Sequence, residues 1–84
     1  MSNRPVGPVP TLTLTCLEAD ECTVYFEPWG TEHLLERDNS FTIATWALAS
    51  GHIEVSFVPN GIIVGITSND EINVRNKTGI ELAI

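Results

Sequence analysis

The chain has 84 residues, with eleven acidic side chains against four basic ones and a formal net charge of −7. At this length a single domain buries only ~60% of the surface its unfolded chain exposes, which leaves no material for a second domain and little for a deep catalytic cleft. The charge argues against nucleic acid and anionic membrane as direct ligands, because such surfaces are met by clusters of Lys and Arg.

The first ten residues, MSNRPVGPVP, contain three prolines and no apolar run of the signal-peptide kind, so 1–10 is expected to be a flexible, polyproline-like arm ahead of one β domain over 11–84. On the same ground the expected compartment is the cytoplasm. No later apolar run approaches the ~20 residues that a membrane-spanning helix needs.

Runs rich in Thr, Val, Ile and aromatics then recur about every ten residues, each bounded by Gly, Pro, Asn, Asp or Ser, which predicts an all-β fold. The expected architecture is a small antiparallel β-sandwich or barrel of seven to eight short strands. The first run, TLTLTCL (11–17), leads into Glu18-Ala19-Asp20-Glu21, read as a hairpin loop flanked by Cys16 and Cys22. A disulfide across that loop is geometrically conceivable, but closing so short a loop gains little, and a cytoplasmic chain keeps its thiols reduced. Both cysteines are therefore expected to be free and structural. A pair of cysteines is also at most half a zinc site.

The second run, CTVYFE (22–27), ends in EPWGTEH, where Pro28 and Gly30 predict a type I or II turn. Trp29 in that turn either caps the end of the core or stands exposed for a partner. TEHLLE (31–36) follows as a strand, although its Leu34-Leu35 pair also suits one helical turn. FTIATWAL (41–48) is expected to be a strand with Trp46 in the core. In HIEVSFV (52–58), Ile53, Val55 and Phe57 share one face, and His52, Glu54 and Ser56 share the other.

IIVGIT (62–67) is apolar on both faces and is expected to be a central strand, with Val64 and Ile66 in the core and Gly65 leaving space for a bulky neighbour. A four-residue loop over 59–62 spares Pro59 the amide hydrogen it lacks and sets Phe57 opposite Val64 and Val55 opposite Ile66. EINVRN (71–76) alternates again, Asn76-Lys77-Thr78 supplies a turn into Gly79, and IELAI (80–84) closes the chain. That terminal run is expected to pair inside the sheet, with a homodimer as the other way to cover it.

The stretch 24–41, VYFEPWGTEHLLERDNSF, with VPNGIIVG and VRNKTGIEL further on, resembles short uncharacterised bacterial all-β proteins that carry an E-P-x-G turn followed by an acidic turn and an apolar strand. The resemblance implies an all-β fold and brings no function with it. Single strands are also similar to those of cupin-like barrels, but the paired His-x-His metal motif of cupins is absent.

His52 and Glu54 stand side by side on one strand face, but they are only two ligands, and no Ser, Cys and His arrangement reads as a nucleophilic motif. Neither a metal, a cofactor nor an enzymatic activity is expected. Seven of the acidic residues lie between positions 18 and 38, where Arg37 is the only base. The function expected from this half is a non-catalytic protein–protein interaction module, antitoxin-, immunity- or inhibitor-like, that meets a basic protein surface as a monomer or homodimer. Its binding residues would be Glu27, Trp29, Glu32, His33 and Glu36. The alternative is a small-ligand domain, for a carbohydrate for instance, that stacks its ligand on Trp29 or Trp46.

Overall fold

The computed structural model describes residues 7–59 and 61–84. Among them, eight strands and one helical turn succeed one another: β1 (Thr11–Thr15), β2 (Glu21–Glu27), β3 (Thr31–Glu36), β4 (Ser40–Ala44), α1 (Ala47–Ser50), β5 (Ile53–Val58), β6 (Gly61–Ile66), β7 (Asn73–Asn76) and β8 (Glu81–Leu82). Sheet 1 has the order β1-β4-β7-β8 and sheet 2 the order β3-β2-β6-β5. All neighbours are antiparallel except β2 and β6, which run parallel.

Of the expected sandwich or barrel, it is an all-β fold of two packed sheets that forms, and TEHLLE is strand β3 rather than a helical turn. The pleat explains the core: alternate residues of each strand point to one side, and Leu14, Val24, Phe26, Leu35, Phe41, Ile43, Ile62, Val64 and Val74 are the inward set, all buried. β6 lies between β2 and β5, as a strand apolar on both faces should. Of the expected arm over 1–10, residues 1–6 lie outside the described residues. Gly7, Pro8 and Val9 are exposed, and the Pro10 carbonyl accepts the Thr45 N–H at 3.1 Å.

The cysteine expectation is corrected. Cys16 and Cys22 form a disulfide, with Cα atoms 6.1 Å apart. The segment between them is no hairpin loop, since β1 belongs to sheet 1 and β2 to sheet 2, so the bond ties one sheet to the other. Arg37 braces the same segment, with an ion pair to Asp20 at 2.9 Å and guanidinium donors to the Ala19 and Glu18 carbonyls. Disulfides persist in oxidising surroundings. The cysteines therefore lend no support to a cytoplasmic address.

FTIATWAL is strand only as far as Ala44. Thr45 is buried and its hydroxyl accepts the Ala47 N–H at 3.2 Å, which turns the chain into α1, where Ala47, Leu48 and Ala49 suit a helix. Gly51, at φ 76°, closes the turn in the left-handed conformation. Trp46 sits at this corner, half-buried, and not inside a strand.

The β5–β6 hairpin pairs Val58 with Gly61, Phe57 with Ile62 and Val55 with Val64. The expected four-residue loop and its pairings are thus displaced by two residues, while the facing sets are kept. Pro59 takes the first position of a two-residue loop, where its missing N–H is not asked for. Asn60 lies outside the described residues. The glycine that makes room is Gly61, where an added Cβ would stand 2.9 Å from the Thr23 carbonyl oxygen and 3.1 Å from the Tyr25 ring. At Gly65 the nearest atom would be 3.8 Å away, so the expected role of that residue is not found.

At the other end, the Asn76 side-chain oxygen accepts N–H groups from Thr78 and Ile80 and the Thr78 hydroxyl, forming the expected turn into Gly79. The terminal strand β8 is the edge of sheet 1, not an internal strand. Its two residues make it a short edge, and short edges resist foreign pairing.

Two outcomes follow. Replacing Cys16 and Cys22 by Ala is expected to cost about 2 kcal/mol in urea unfolding, the loop-closure value for so short a loop. Alkylation of the unfolded protein without reductant is expected to leave both sites unlabelled, and two labelled thiols would contradict the bond. Gly61→Ala is expected to lose about 1–3 kcal/mol through overpacking, whereas Gly65→Ala changes stability by less than about 1 kcal/mol, read from paired denaturation curves.

Candidate functional site

The residues of sheet 2 that do not enter the core make a second, outward face. Alternation places Glu32, Leu34 and Glu36 of β3 there, with Glu21, Thr23, Tyr25 and Glu27 of β2, Ile63 and Gly65 of β6, and Glu54, Ser56 and Val58 of β5. The ladders align them in rows. Glu36 is opposite Glu21, and Leu34 lies beside Thr23, Gly61 and Val58. Glu32 lies beside Tyr25, Ile63 and Ser56, and Glu27 and Glu54 flank Gly65.

The result is an apolar centre with carboxylates at both ends of the strands. Leu34 is 59% exposed, and Tyr25 and Ile63 are half-buried beside it. Glu21, Glu27, Glu32, Glu36 and Glu54 are all exposed. The described cations lie elsewhere. Arg37 is held against residues 18–20, Arg75 pairs with Glu81 at 3.6 Å in sheet 1, and Lys77 donates to the Asp38 carbonyl. Glu21 and Glu36 stand directly opposite one another, and like charges so placed weaken a ladder.

The five residues singled out in the sequence are divided by the fold. Glu27, Glu32 and Glu36 share the outer face. His33 points the other way: its ring meets Phe26 and Phe41 edge-on, with centroids 6.1 and 6.3 Å apart, and its Nε2 donates to the Ala83 carbonyl at 2.7 Å. That bond joins β3 of sheet 2 to the segment after β8 in sheet 1. Trp29 is at the β2–β3 turn and 43% exposed. In that turn the Glu27–Pro28 peptide is cis. Gly30 completes it, donating its N–H to the Phe26 carbonyl at 2.9 Å.

Sequence reasoning missed Glu21, Glu54, Tyr25, Leu34 and Ile63 as members of this face. The two-residue period of each run carried the signal, but joining the runs required the β2–β6 pairing, which is non-local and parallel.

Trp29 also lines a cleft of about 510 Å³ with Glu71, Ile72, Asn73, Leu82 and Ile84. Trp46 lines a neighbouring recess of about 170 Å³ that shares Glu71, Ile72 and Asn73. The two indoles therefore border adjacent hollows and not a common one. His52 and Glu54 gain no third ligand: the His52 Nδ1 lies 2.9 Å from the Ser50 hydroxyl. Among the described residues no three His, Cys, Asp or Glu side chains converge as a metal site would require, and no helix is long and apolar enough to cross a membrane.

No protein family matches the chain, and neither a curated protein nor a solved structure matches it.

The opposed carboxylates give a direct test of the face's electrostatics. Glu36→Lys is expected to stabilise the fold by about 0.2–1 kcal/mol, and the gain should shrink as salt is added. Chemical denaturation at low and high ionic strength reads both effects.

Proposed function

We propose that the chain is a non-catalytic protein–protein interaction module whose outer sheet-2 face receives a basic protein surface. The observation that carries this reading is the set of five exposed glutamates around Leu34, Tyr25 and Ile63, with no cation on the face among the described residues. An apolar centre inside a charged rim is the composition of a binding hot spot, and long-range attraction by the rim would speed encounter with a cationic partner. The cost of facing Glu21 and Glu36 without a counter-charge is removed when a Lys or Arg docks between them. An antitoxin-, immunity- or inhibitor-like role, with a basic toxin or nuclease as target, fits this chemistry.

A second reading draws on a different observation. The cleft beside Trp29 offers an indole, carboxylates and aliphatic side chains in one concavity, the equipment for holding a small ligand such as a carbohydrate. Titration with oligosaccharides, followed by tryptophan fluorescence, tests that reading, and a response lost in Trp29→Ala would favour it.

The test of the first reading compares baits. Wild-type chain and a variant with Glu27, Glu32 and Glu36 replaced by Gln are immobilised and offered the native lysate, and captured proteins are identified by mass spectrometry. A basic protein retained by the wild type and lost by the Gln variant is the expected result. With that partner purified, the Gln variant should associate more slowly with a flatter salt dependence, and Leu34→Ala should dissociate faster by about tenfold or more while folding is unchanged. Equal capture by both baits contradicts the reading.

A further inference from the structure

We propose that β5 is a homodimerisation edge, on which the β5 strand of a second copy pairs antiparallel with Val55 at the two-fold axis. The backbone supplies the first reason. The Thr67 N–H donates to the His52 carbonyl at 2.9 Å, which fixes His52 and Thr67 as a hydrogen-bonded pair on the β5–β6 ladder. Such pairs alternate along an antiparallel ladder. Glu54, Ser56 and Val58 therefore bond to β6, and the N–H and C=O groups of Ile53, Val55 and Phe57 point away from it. Among the described residues, β5 has no neighbour on that side.

Edge strands are normally protected by Lys, Pro, a bulge or brevity. β8 is two residues long, β3 presents Glu32 and Glu36 beside its edge, and β1, the fourth edge, is uncharged but exposes only threonines, Thr11, Thr13 and Thr15. β5 has six residues, IEVSFV, with no Lys, Arg or Pro among them and Glu54 as the single charge. Phe57 is on the core-facing side of the strand yet is 80% exposed, and neighbouring Val58 is exposed as well.

The sequence of this edge is self-complementary in one register. With Val55 on the axis, Ile53 meets Phe57 of the second copy, and each of these pairs, like Val55 with Val55, joins residues whose free backbone groups face the partner. On the inner side Phe57 then covers Ile53 of the other copy, an aromatic and β-branched cross-strand pair of the favourable kind. On the outer side Glu54 falls opposite Ser56, so no carboxylate opposes another across the junction. A register with Ser56 on the axis would instead match Ile53 to Pro59, which has no N–H to give.

The chain alone is the probe. Sedimentation equilibrium over a range of loading concentrations is expected to show a dimer of twice the 9.2 kDa chain mass. Phe57→Lys, at an exposed position, should raise the dimer dissociation constant by about tenfold or more, while its melting temperature matches the wild type at concentrations low enough that both are monomers. Ser56→Lys places a cation opposite Glu54 and should tighten the dimer, while Ser56→Glu should loosen it. A wild-type monomer at every concentration overturns the proposal. So does a dimer indifferent to Phe57→Lys, or one loosened by Ser56→Lys, the sign expected when Ser56 itself lies on the axis. None of these readings depends on the basic partner, so either proposal can fail alone.

Discussion

The rest of the molecule depends on the parallel pairing of β2 with β6. It joins the hairpin β2–β3 to the hairpin β5–β6, which lie on either side of β4 and α1 in the chain, and makes one sheet of them. Its register sets Val24 beside Ile62 and Phe26 beside Val64, all inward and buried. A slip of one residue would turn that set toward solvent, so burial itself holds the register. The same register lines up Thr23 with Gly61, Tyr25 with Ile63 and Glu27 with Gly65 on the other side. The outer face is thus a by-product of the core: the force that hides the apolar residues also gathers the glutamates.

Two further ties fix the sheets to each other. The disulfide links the end of β1 in sheet 1 to β2 in sheet 2, and the His33 hydrogen bond to Ala83 links β3 to the segment after β8. Both lie on the inner side of sheet 2 or at its end. That leaves its outer face free of internal obligations, which is the condition for presenting it to a partner. In a chain this short, with a core of few residues, such cross-ties matter more than they would in a larger domain.

Much of the strand content was legible because alternation and turn residues are local. Ile53, Val55 and Phe57 declare a face without help from any other segment, and Pro59 bars itself from a hydrogen-bonded pair wherever the hairpin turns. What local pattern does not encode is which sheet a strand joins. Cys16 and Cys22 look like the two sides of a hairpin, yet Cys16 follows a strand of sheet 1 and Cys22 lies in sheet 2, so the expectation of free thiols depended on a hairpin that the topology does not contain. Trp46 reads as a strand residue because it continues the run FTIATWAL. The decisive contribution of Thr45, a side-chain hydrogen bond that bends the chain into α1, leaves no mark in the period. His33 was grouped with its acidic neighbours by proximity in sequence, whereas the pleat sends it to the opposite side of the strand from Glu32.

The central claim, that a parallel β2–β6 ladder builds both the core and the glutamate-ringed face, is most directly tested by nuclear Overhauser contacts between backbone protons of the two strands. The expected result is a parallel pattern that joins Val24 to Ile62 and Phe26 to Val64, with Tyr25 beside Ile63. An antiparallel pattern between β2 and β6, or β2 flanked by any strand other than β3 and β6, would contradict it.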